Sequence, residues 1–156
     1  MEVRAVGIIH SPFQEISGTP IQPTYAGDTE GVVEVFPEFE SALSDLIGYE
    51  RIWLLYWFDR AGPMRLHVVP FRDTTERGLF STRAPCRPNP IGLSCVRLLS
   101  VADCFVRVAG IDVLDKTPLL DIKPYIPDFD GYPECRAGWH AASASARKQA
   151  DDRFRP

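Results

Sequence analysis

The sequence lacks the signatures of several common protein classes. No apolar run reaches the roughly 20 residues that a membrane-spanning helix needs, and the longest apolar segment, residues 52–58, has the length of a strand. The N-terminus has no basic start followed by an apolar core, so no signal peptide is predicted. Cys86, Cys95, Cys104 and Cys135 form no CxxC pair, which favours reduced thiols and a cytoplasmic location.

The motifs of common cofactor and metal sites are also missing. The sequence contains no GxGxxG, no P-loop and no HExxH, and His10, His67 and His140 lie too far apart to suggest metal ligands. We therefore predict no metal site. The missing GxGxxG also argues against a doubly wound dinucleotide-binding sheet.

The charge is distributed unevenly along the chain. The 156 residues carry a net charge of −4, which argues against a general nucleic-acid coat protein. Residues 60–97, however, contain seven arginines and two acids, whereas residues 103–135 contain seven acids and three bases. The basic half is either a phosphate-binding face or a partner for the acidic half, within one fold or across a dimer.

The hydrophobic pattern predicts more strands than helices. A length of 156 residues with 45% hydrophobic residues is typical of one domain with a substantial core. One clear helix is predicted after Pro37, with Phe39, Leu43 and Leu46 on one face together with Ile47, and with a stop at Gly48. Strands are predicted at residues 3–9, 31–36, 51–58, 65–69, 90–101, 104–114 and 119–122.

This arrangement of elements predicts the fold class. Because regular helices do not separate the strands, we predict a mainly β, single-domain, antiparallel barrel-like sheet that is not a Rossmann fold. The apolar segment 51–58 is expected to be covered on both faces. Residues 1–138 are predicted to form the domain, and residues 139–156 a C-terminal tail that is either weakly helical or disordered.

Residues 78–94, with the sequence GLFSTRAPCRPNPIGLS, form the most distinctive segment of the chain. Prolines at 85, 88 and 90 fix their own φ angles and restrict the residues before them, which excludes a helix or an ordinary central strand. The resulting stiff loop presents Arg83, Arg87 and Asn89. A stiff loop loses little entropy when its polar groups bind a ligand, although it is also suited to a plain connection between strands.

Three further segments carry polar groups that could bind a ligand. In residues 112–125, DVLDKTPLLDIKPY, Asp115 and Thr117 suit a turn that either bonds its own backbone or binds a ligand ammonium or ribose hydroxyl. In residues 18–23, GTPIQP, Gln22 offers both a donor and an acceptor. Asp59 and Arg60 follow the apolar strand directly and would form either a surface salt bridge or part of a site.

Taken together, these segments resemble the TsaA family, also called TrmO-like or YaeB/UPF0066 proteins. The resemblance runs from about residue 3 to residue 128. Its strongest motif is GxFxTRxPxRPNPIGLS at 78–94, followed by DxTPLLDIKPY at 115–125 and IIHSPF at 8–13 with GxPxQ at 18–22. The resemblance implies a β-barrel methyltransferase that uses S-adenosylmethionine. The implied reaction is N6 methylation of threonylcarbamoyladenosine beside the anticodon of tRNA, by a homodimer with the cofactor near the subunit interface.

The resemblance, together with the chemistry of the side chains, assigns residues to the site. Asp59 and Asp128 are the candidates for a catalytic base, and the sequence does not choose between them. Arg83 is expected to hold the cofactor carboxylate with its fork of donors. The residues implied in cofactor binding are Pro20, Ile21, Gln22, Asp59, Arg60, Arg83, Leu93, Asp115, Lys116, Thr117 and Pro118. The residues implied in substrate binding are Arg72, Arg77, Arg87, Asn89 and Tyr125. Of these, Arg87 and Asn89 either stiffen the loop or contact the substrate. Tyr125 and Asp128 are expected to reach the site of the partner subunit.

The chain departs from the family pattern at three positions. Family members usually have Arg at the position of Ile21, often His at that of Asp59, and Gly at that of Lys116, and larger members carry a C-terminal extension. Alternatives to tRNA methylation are a cofactor-binding regulator without transfer activity, a structural dimer, and a methyltransferase with another acceptor. Tyr125, Tyr132 and Phe129 are candidates for stacking on bases, and for Phe129 a core position is favoured.

Overall fold

The computed structural model describes residues 2–143 and 145–156. Within these residues the strands are β1 (Gly7–His10), β2 (Glu30–Val35), β3 (Arg51–Trp57), β4 (His67–Val68), β5 (Arg77–Gly78), β6 (Ile91–Ala102), β7 (Phe105–Ala109) and β8 (Thr117–Pro124). Six of them close into an antiparallel barrel in the order β1-β2-β7-β6-β3-β8, with β1 also paired to β8. The strands β4 and β5 form a separate pair. The predicted mainly β, barrel-like, non-Rossmann fold is confirmed.

The barrel interior is filled by the alternate apolar residues of its strands. In β3, Ile52, Leu54 and Tyr56 are buried, while the intervening residues point outward and are half-buried. We expected both faces of this strand to be covered. Within one chain the inner face is fully buried and the outer face is only partly covered. The fully buried interior residues include Ile9, Val33, Ile52, Leu54, Val96, Val106, Val108, Ile111 and Leu119.

Several predicted strands are shorter in the structure, for identifiable reasons. The strand predicted at 104–114 ends at Ala109, because Gly110 adopts a φ of 83° and turns the chain out of the sheet. The strand predicted at 65–69 is reduced to β4. The hairpin predicted between β6 and β7 is confirmed, with Ala102 paired to Phe105 and Asp103 in the turn at a φ of 50°.

The predicted helix after Pro37 is wrong. Its residues form two 3₁₀ helices, Pro37–Leu43 and Leu46–Gly48, which are separated where Asp45 adopts a left-handed φ of 65°. The Ser44 hydroxyl donates to the Ser41 carbonyl, which offers the backbone an alternative to a continuing helix. The α-helix that the structure contains in its described part is one turn, α1 (Pro127–Asp130). None of the described helices has the length and apolar character that crossing a bilayer requires.

A second, smaller apolar cluster lies beneath the proline-rich loop, which is the segment of residues 78–94. Cys86 of the loop is 1% exposed and packs there with Val68, Leu79 and Ala84. Phe154, from the C-terminal segment, is 3% exposed and completes the cluster. The loop is therefore fixed from below by its own apolar residues and by the end of the chain.

The C-terminal segment runs alongside the segment that carries Gln22. The Gly18 and Ile21 N–H groups donate to the carbonyls of Ala150 and Lys148, each at 3.0 Å, and the Ala150 N–H donates to the Thr19 carbonyl at 2.8 Å. These contacts pair residues 18–21 with residues 148–150 in a short antiparallel arrangement. The division of the chain at residue 138 stays a prediction.

Candidate functional site

A cavity of about 860 Å³ opens at the end of the barrel where β3 ends and β6 begins. The barrel contributes Tyr56, Gly92 and Leu93 to its wall, and the proline-rich loop contributes Arg83 and Arg87. Residues 19–25 and the C-terminal segment form the remaining sides. A cavity of this size, with mostly apolar walls and a few convergent polar groups, is typical of small-molecule sites.

Gly92 explains how the barrel wall is built at this cavity. A Cβ atom at this position would overlap the ring of Tyr56, which lies directly across the Gly92 backbone. The glycine in the PNPIGLS motif therefore allows an aromatic ring from the neighbouring strand to reach the cavity.

Gln22 and Arg83 meet at the cavity although 61 residues separate them in sequence. Arg83 Nη1 donates to Gln22 Oε1 at 2.7 Å. This single contact uses one of the five donors of the guanidinium, which leaves the fork able to bind a carboxylate. Pro20 and Ile21 line the cavity beside them, so this predicted group of cofactor residues is brought together.

Arg60 connects two further predicted segments. Its Nη2 atom donates to the Asp115 carbonyl at 2.7 Å and to Thr117 Oγ1 at 3.0 Å. Asp59 lies beside it, with 3.4 Å between Asp59 Oδ1 and Arg60 Nε, and is exposed on the cavity wall. The end of β3 and the turn before β8 are thereby joined at the site.

Arg87 is engaged by the backbone of its own loop. Its Nη1 atom lies 3.0 Å from the Thr82 carbonyl, 3.4 Å from that of Ala84 and 3.5 Å from that of Leu79. The guanidinium carbon also lies 5.5 Å from the ring centre of Phe80. Of the two roles left open for Arg87, these contacts favour stiffening the loop. Asn89 is exposed outside the cavity lining, and its carbonyl accepts from the Ile91 N–H.

Some predicted site residues lie away from the cavity of their own chain. The Tyr125 N–H donates to the Arg51 carbonyl at the opposite end of β3, which is roughly 20 Å from the cavity at the usual rise per strand residue. Asp128 is exposed in α1. Lys116 and Pro118 flank the cavity residue Thr117 without lining the cavity themselves. Phe129 is 68% exposed, so the favoured core position for this residue is wrong.

The Asp115 side chain points toward β1 and away from the cavity. One carboxylate oxygen accepts from the Ser11 N–H at 3.2 Å and lies 3.6 Å from His10 Nδ1. Burial acts to raise the pKa of Asp115, but the Ser11 hydrogen bond and the nearby His10 and Lys116 charges hold this pKa below its usual value. Asp115 therefore serves the cavity through its backbone carbonyl.

Arg72 and Arg77 hold the C-terminal segment. Arg72 donates to the Ser145 carbonyl and to the Tyr25 hydroxyl, while Arg77 pairs with Asp73 at 2.8 Å. The Arg77 guanidinium also lies over the ring of Trp139, at 5.6 Å from its centre. Both arginines are thus near the cavity rim, with their donors directed partly at their own chain.

Sequence reasoning missed the polar floor of the cavity. The Tyr56 hydroxyl lies 3.0 Å from Ser94 Oγ, and Ser94 Oγ donates to Asp112 Oδ1 at 2.6 Å. Burial raises the pKa of Asp112 to about 7, against the opposing effects of the Ser94 hydrogen bond and the Arg83 charge. Burial, and then the Asp112 charge, raise the pKa of Tyr56. The signal that could have found Asp112 is its place between Ile111 and Val113, both apolar and both buried.

The rim of the cavity carries an exposed aromatic ring. Phe80 is 79% exposed and lines the cavity together with Trp139 and His140 of the C-terminal segment, and Trp139 Nε1 donates to the carbonyl of the neighbouring Ser81 at 2.8 Å. Across residues 2–143 and 145–156, no three His, Cys, Asp or Glu side chains are grouped so that they could hold a metal ion.

The fold and the site together define a class of protein: a closed antiparallel β-barrel, distinct from the Rossmann fold, with a cavity of small-molecule size beside a proline-rich loop. The family model for the "tRNA-methyltransferase O N-terminal domain" matches residues 8–131, and the chain belongs to this family.

Three similar proteins illustrate the range of the family. A Pyrococcus abyssi protein named "Probable S-adenosyl-L-methionine-binding protein" is 48% identical over 96% of this chain and 81% of its own length. The mouse "tRNA (adenine(37)-N6)-methyltransferase" is 36% identical over 80% of this chain but only 31% of its own length. The crystal structure of TrmO from Pseudomonas aeruginosa superposes with a TM-score of 0.78 at 38% identity, covering 94% of this chain and 65% of that one.

Proposed function

We propose that this protein transfers a methyl group from S-adenosylmethionine to N6 of threonylcarbamoyladenosine, next to the anticodon of tRNA. Membership of the TrmO family supports the broader class, an S-adenosylmethionine-dependent tRNA methyltransferase. The observation that carries the proposal is the meeting of Gln22 with Arg83, and of Arg60 with Thr117, around one cavity. The modified base and the tRNA species go beyond what family membership supports.

The residues around the cavity fit the chemical groups of S-adenosylmethionine. When bound, this cofactor supplies an electrophilic methyl carbon on a positively charged sulfur. The remaining donors of Arg83 suit its carboxylate, and the apolar walls at Leu93 and Phe58 suit its adenine ring. Gln22 offers a donor and an acceptor within reach of Arg83.

This chain positions the bound cofactor mainly by holding the proline-rich loop rigid before the cofactor binds. Arg87 ties three carbonyls of the loop together, and the apolar cluster below holds Cys86 and Ala84. Because Arg83 belongs to the same rigid segment, it is held near its binding geometry before a ligand arrives. Fixed orientation of this kind supplies much of the rate in a transfer that needs in-line approach.

The rim of the cavity suits an unpaired base. Bases of a single-stranded anticodon loop can be splayed out and stacked on aromatic rings. Phe80 is exposed at the rim and has the Arg87 guanidinium against its ring, so it offers a stacking surface next to positive charge. Arg72 and Arg77 lie nearby and would add attraction for phosphates, which makes RNA binding dependent on salt.

We further propose that the protein is a homodimer. The outward residues of β3 and β6 form a strip of apolar side chains in which Leu55 pairs with Leu93, and Trp57 with Ile91. Leu93 and Ile91 are 44% and 42% exposed, which is high for neighbouring apolar residues in a strand. Since Leu93 also lines the cavity, a partner covering this strip would lie next to the site.

Methyl-labelled S-adenosylmethionine with bulk tRNA tests the proposed function. We expect label in tRNA that contains threonylcarbamoyladenosine, and digestion followed by mass spectrometry should place it on that nucleoside. Transfer RNA from cells unable to make this modification should remain unlabelled. Label in a different nucleoside would reassign the acceptor, and cofactor binding without label in any RNA would favour a regulatory protein.

A further inference from the structure

The buried polar groups at the cavity floor form a directed chain. Ser94 has one hydroxyl proton and donates it to the Asp112 carboxylate at 2.6 Å. The Tyr56 hydroxyl, at 3.0 Å, must then donate to Ser94 Oγ. We call these three residues the Tyr56–Ser94–Asp112 chain. All its protons point toward the carboxylate, so each hydrogen bond favours the ionised form of Asp112.

The position of Asp112 sets it apart from the other carboxylates of the chain. Tyr56 and Ser94 are 3% and 1% exposed, and Asp112 is half-buried with its open side at the cavity. Burial of this carboxyl group disfavours its ionised form. The titratable and charged groups that face it are Tyr56 from β3 and Arg83 from the proline-rich loop.

Resting on the methyltransferase function proposed above, we propose that Asp112 is the general base of the reaction, held by Ser94 and Tyr56 to take the proton from the acceptor nitrogen. The N–C bond forms as the S–C bond breaks, and the electron pair of the S–C bond stays on sulfur. The proton that the nitrogen loses passes to Asp112 and from there to water. The positive charge of the sulfonium is thus balanced by the released proton.

The two carboxylates named from the sequence are less suited to this role. Asp59 lines the cavity but is exposed and lies beside Arg60. Asp128 lies in α1, outside the cavity lining. A base works best when its pKa lies near the operating pH, and burial brings the Asp112 pKa to about 7.

Single-turnover transfer as a function of pH tests the role of Asp112. The wild-type rate should rise with pH and level off above an inflection near 7, because only ionised Asp112 accepts a proton. Asp112→Asn should lower the rate by about 10²- to 10⁴-fold and abolish the inflection. Ser94→Ala should move the inflection to higher pH, because the hydrogen bond that stabilises the carboxylate is lost. Asp121→Asn, on β8 outside the cavity lining, is the matched control and should retain the wild-type profile.

A second measurement does not depend on transfer activity. In protein with ¹³C-labelled aspartate carboxyl groups, one resonance should titrate near pH 7 without cofactor, disappear in Asp112→Asn and titrate at higher pH in Ser94→Ala. A resonance assigned to Asp112 that titrates near pH 4 would overturn the proposal. So would an Asp112→Asn rate within about threefold of wild type, or a loss of cofactor affinity with the pH inflection unchanged.

The two proposals fail in different ways. If wild-type protein labels no RNA, the proposed function fails whatever the Asp112 resonance does. If wild type is active and the variants leave both the pH profile and the titration unchanged, only the role of Asp112 fails. Should Asp112→Asn not fold, the Ser94→Ala shifts in both experiments still decide the question.

Discussion

Among single residues, Lys116 has a strained backbone. Lys116 adopts a φ of 64°, in the left-handed region that side chains other than glycine disfavour. We expect Lys116→Gly to stabilise the protein by about 1 kcal/mol, since relief of the left-handed strain exceeds the entropy cost of glycine. Urea denaturation measures this, and Lys123→Gly within β8 should instead destabilise.

Asp112 gives a second prediction at this scale, in the pH dependence of stability. The folded state keeps the Asp112 proton up to about pH 7, whereas an unfolded chain loses it near pH 4. The folded state thus binds more protons between these values, and wild-type stability should fall as pH rises through this window. Asp112→Asn lacks this effect and should gain stability relative to wild type, by at most about 4 kcal/mol at pH 8. If Asp112→Asn differed from wild type in unfolding free energy by the same amount at pH 4 and at pH 8, this prediction would be contradicted.

Some residues of the site could be predicted from the sequence and others could not. Gln22 and Arg83 were predicted from their motifs and Arg60 from its place directly after the apolar strand, and the structure places all three at one cavity. The apolar neighbours of Asp112 indicate burial, but nothing in the immediate sequence of Asp112 or Tyr56 shows that the two meet at a cavity. Their role depends on β3, β6 and the segment after β7 coming together, which is a property of tertiary structure.

Among the elements, residues 82–90 of the proline-rich loop contain no helix or strand, as predicted, whereas Leu79–Ser81 form a short 3₁₀ helix and the predicted helix after Pro37 does not form. Pro85, Pro88 and Pro90 restrict the backbone locally, so their effect can be read from the sequence. The helix after Pro37 followed a correct apolar spacing, but the break at Ser44 and Asp45 leaves Ile47 60% exposed. Periodicity alone therefore could not distinguish one helix from two short 3₁₀ helices.

The loop yields a prediction about Arg87. Its Nη1 atom lies within 3.5 Å of three carbonyls while the guanidinium lies over the ring of Phe80, and a lysine ammonium has no planar face to stack on that ring. Arg87→Lys should lower the free energy of unfolding by about 1–2 kcal/mol. Arg107→Lys is a matched control, because Arg107 makes a surface pair with Glu30 and should change stability by less than about 0.5 kcal/mol. Similar losses in both variants would count against a stiffening role for Arg87.

At the scale of the whole molecule, the fold class could be predicted and the position of the chain end could not. The count and spacing of strands point to an antiparallel barrel, which the closed order β1-β2-β7-β6-β3-β8 confirms. The apolar pattern after residue 139 is weak, yet Phe154 is 3% exposed beneath the loop. One aromatic residue in a polar segment carries no periodicity, so its burial depends on contacts that the sequence does not display.

The apolar strip on β3 and β6 gives a prediction about assembly. If a second copy covers the strip, Leu55→Arg should convert a dimer into a monomer, because covering the strip would then remove a large charged side chain from water. Size-exclusion chromatography with light scattering measures the mass directly. Phe105→Arg changes an apolar residue that is 47% exposed outside the strip and should leave the dimer intact. A monomeric wild type, or a dimer that survives Leu55→Arg, would contradict the proposed interface.

In the proposed function, the cavity beside the proline-rich loop binds S-adenosylmethionine through Arg83. Isothermal titration calorimetry of wild type, Arg83→Ala and the surface control Arg107→Ala tests it most directly. Loss of a charge-assisted hydrogen bond predicts at least about tenfold weaker binding for Arg83→Ala, with unchanged thermal stability because Arg83 is exposed. Arg107→Ala should bind as wild type does. Equal affinity of Arg83→Ala and wild type for S-adenosylmethionine would contradict the account.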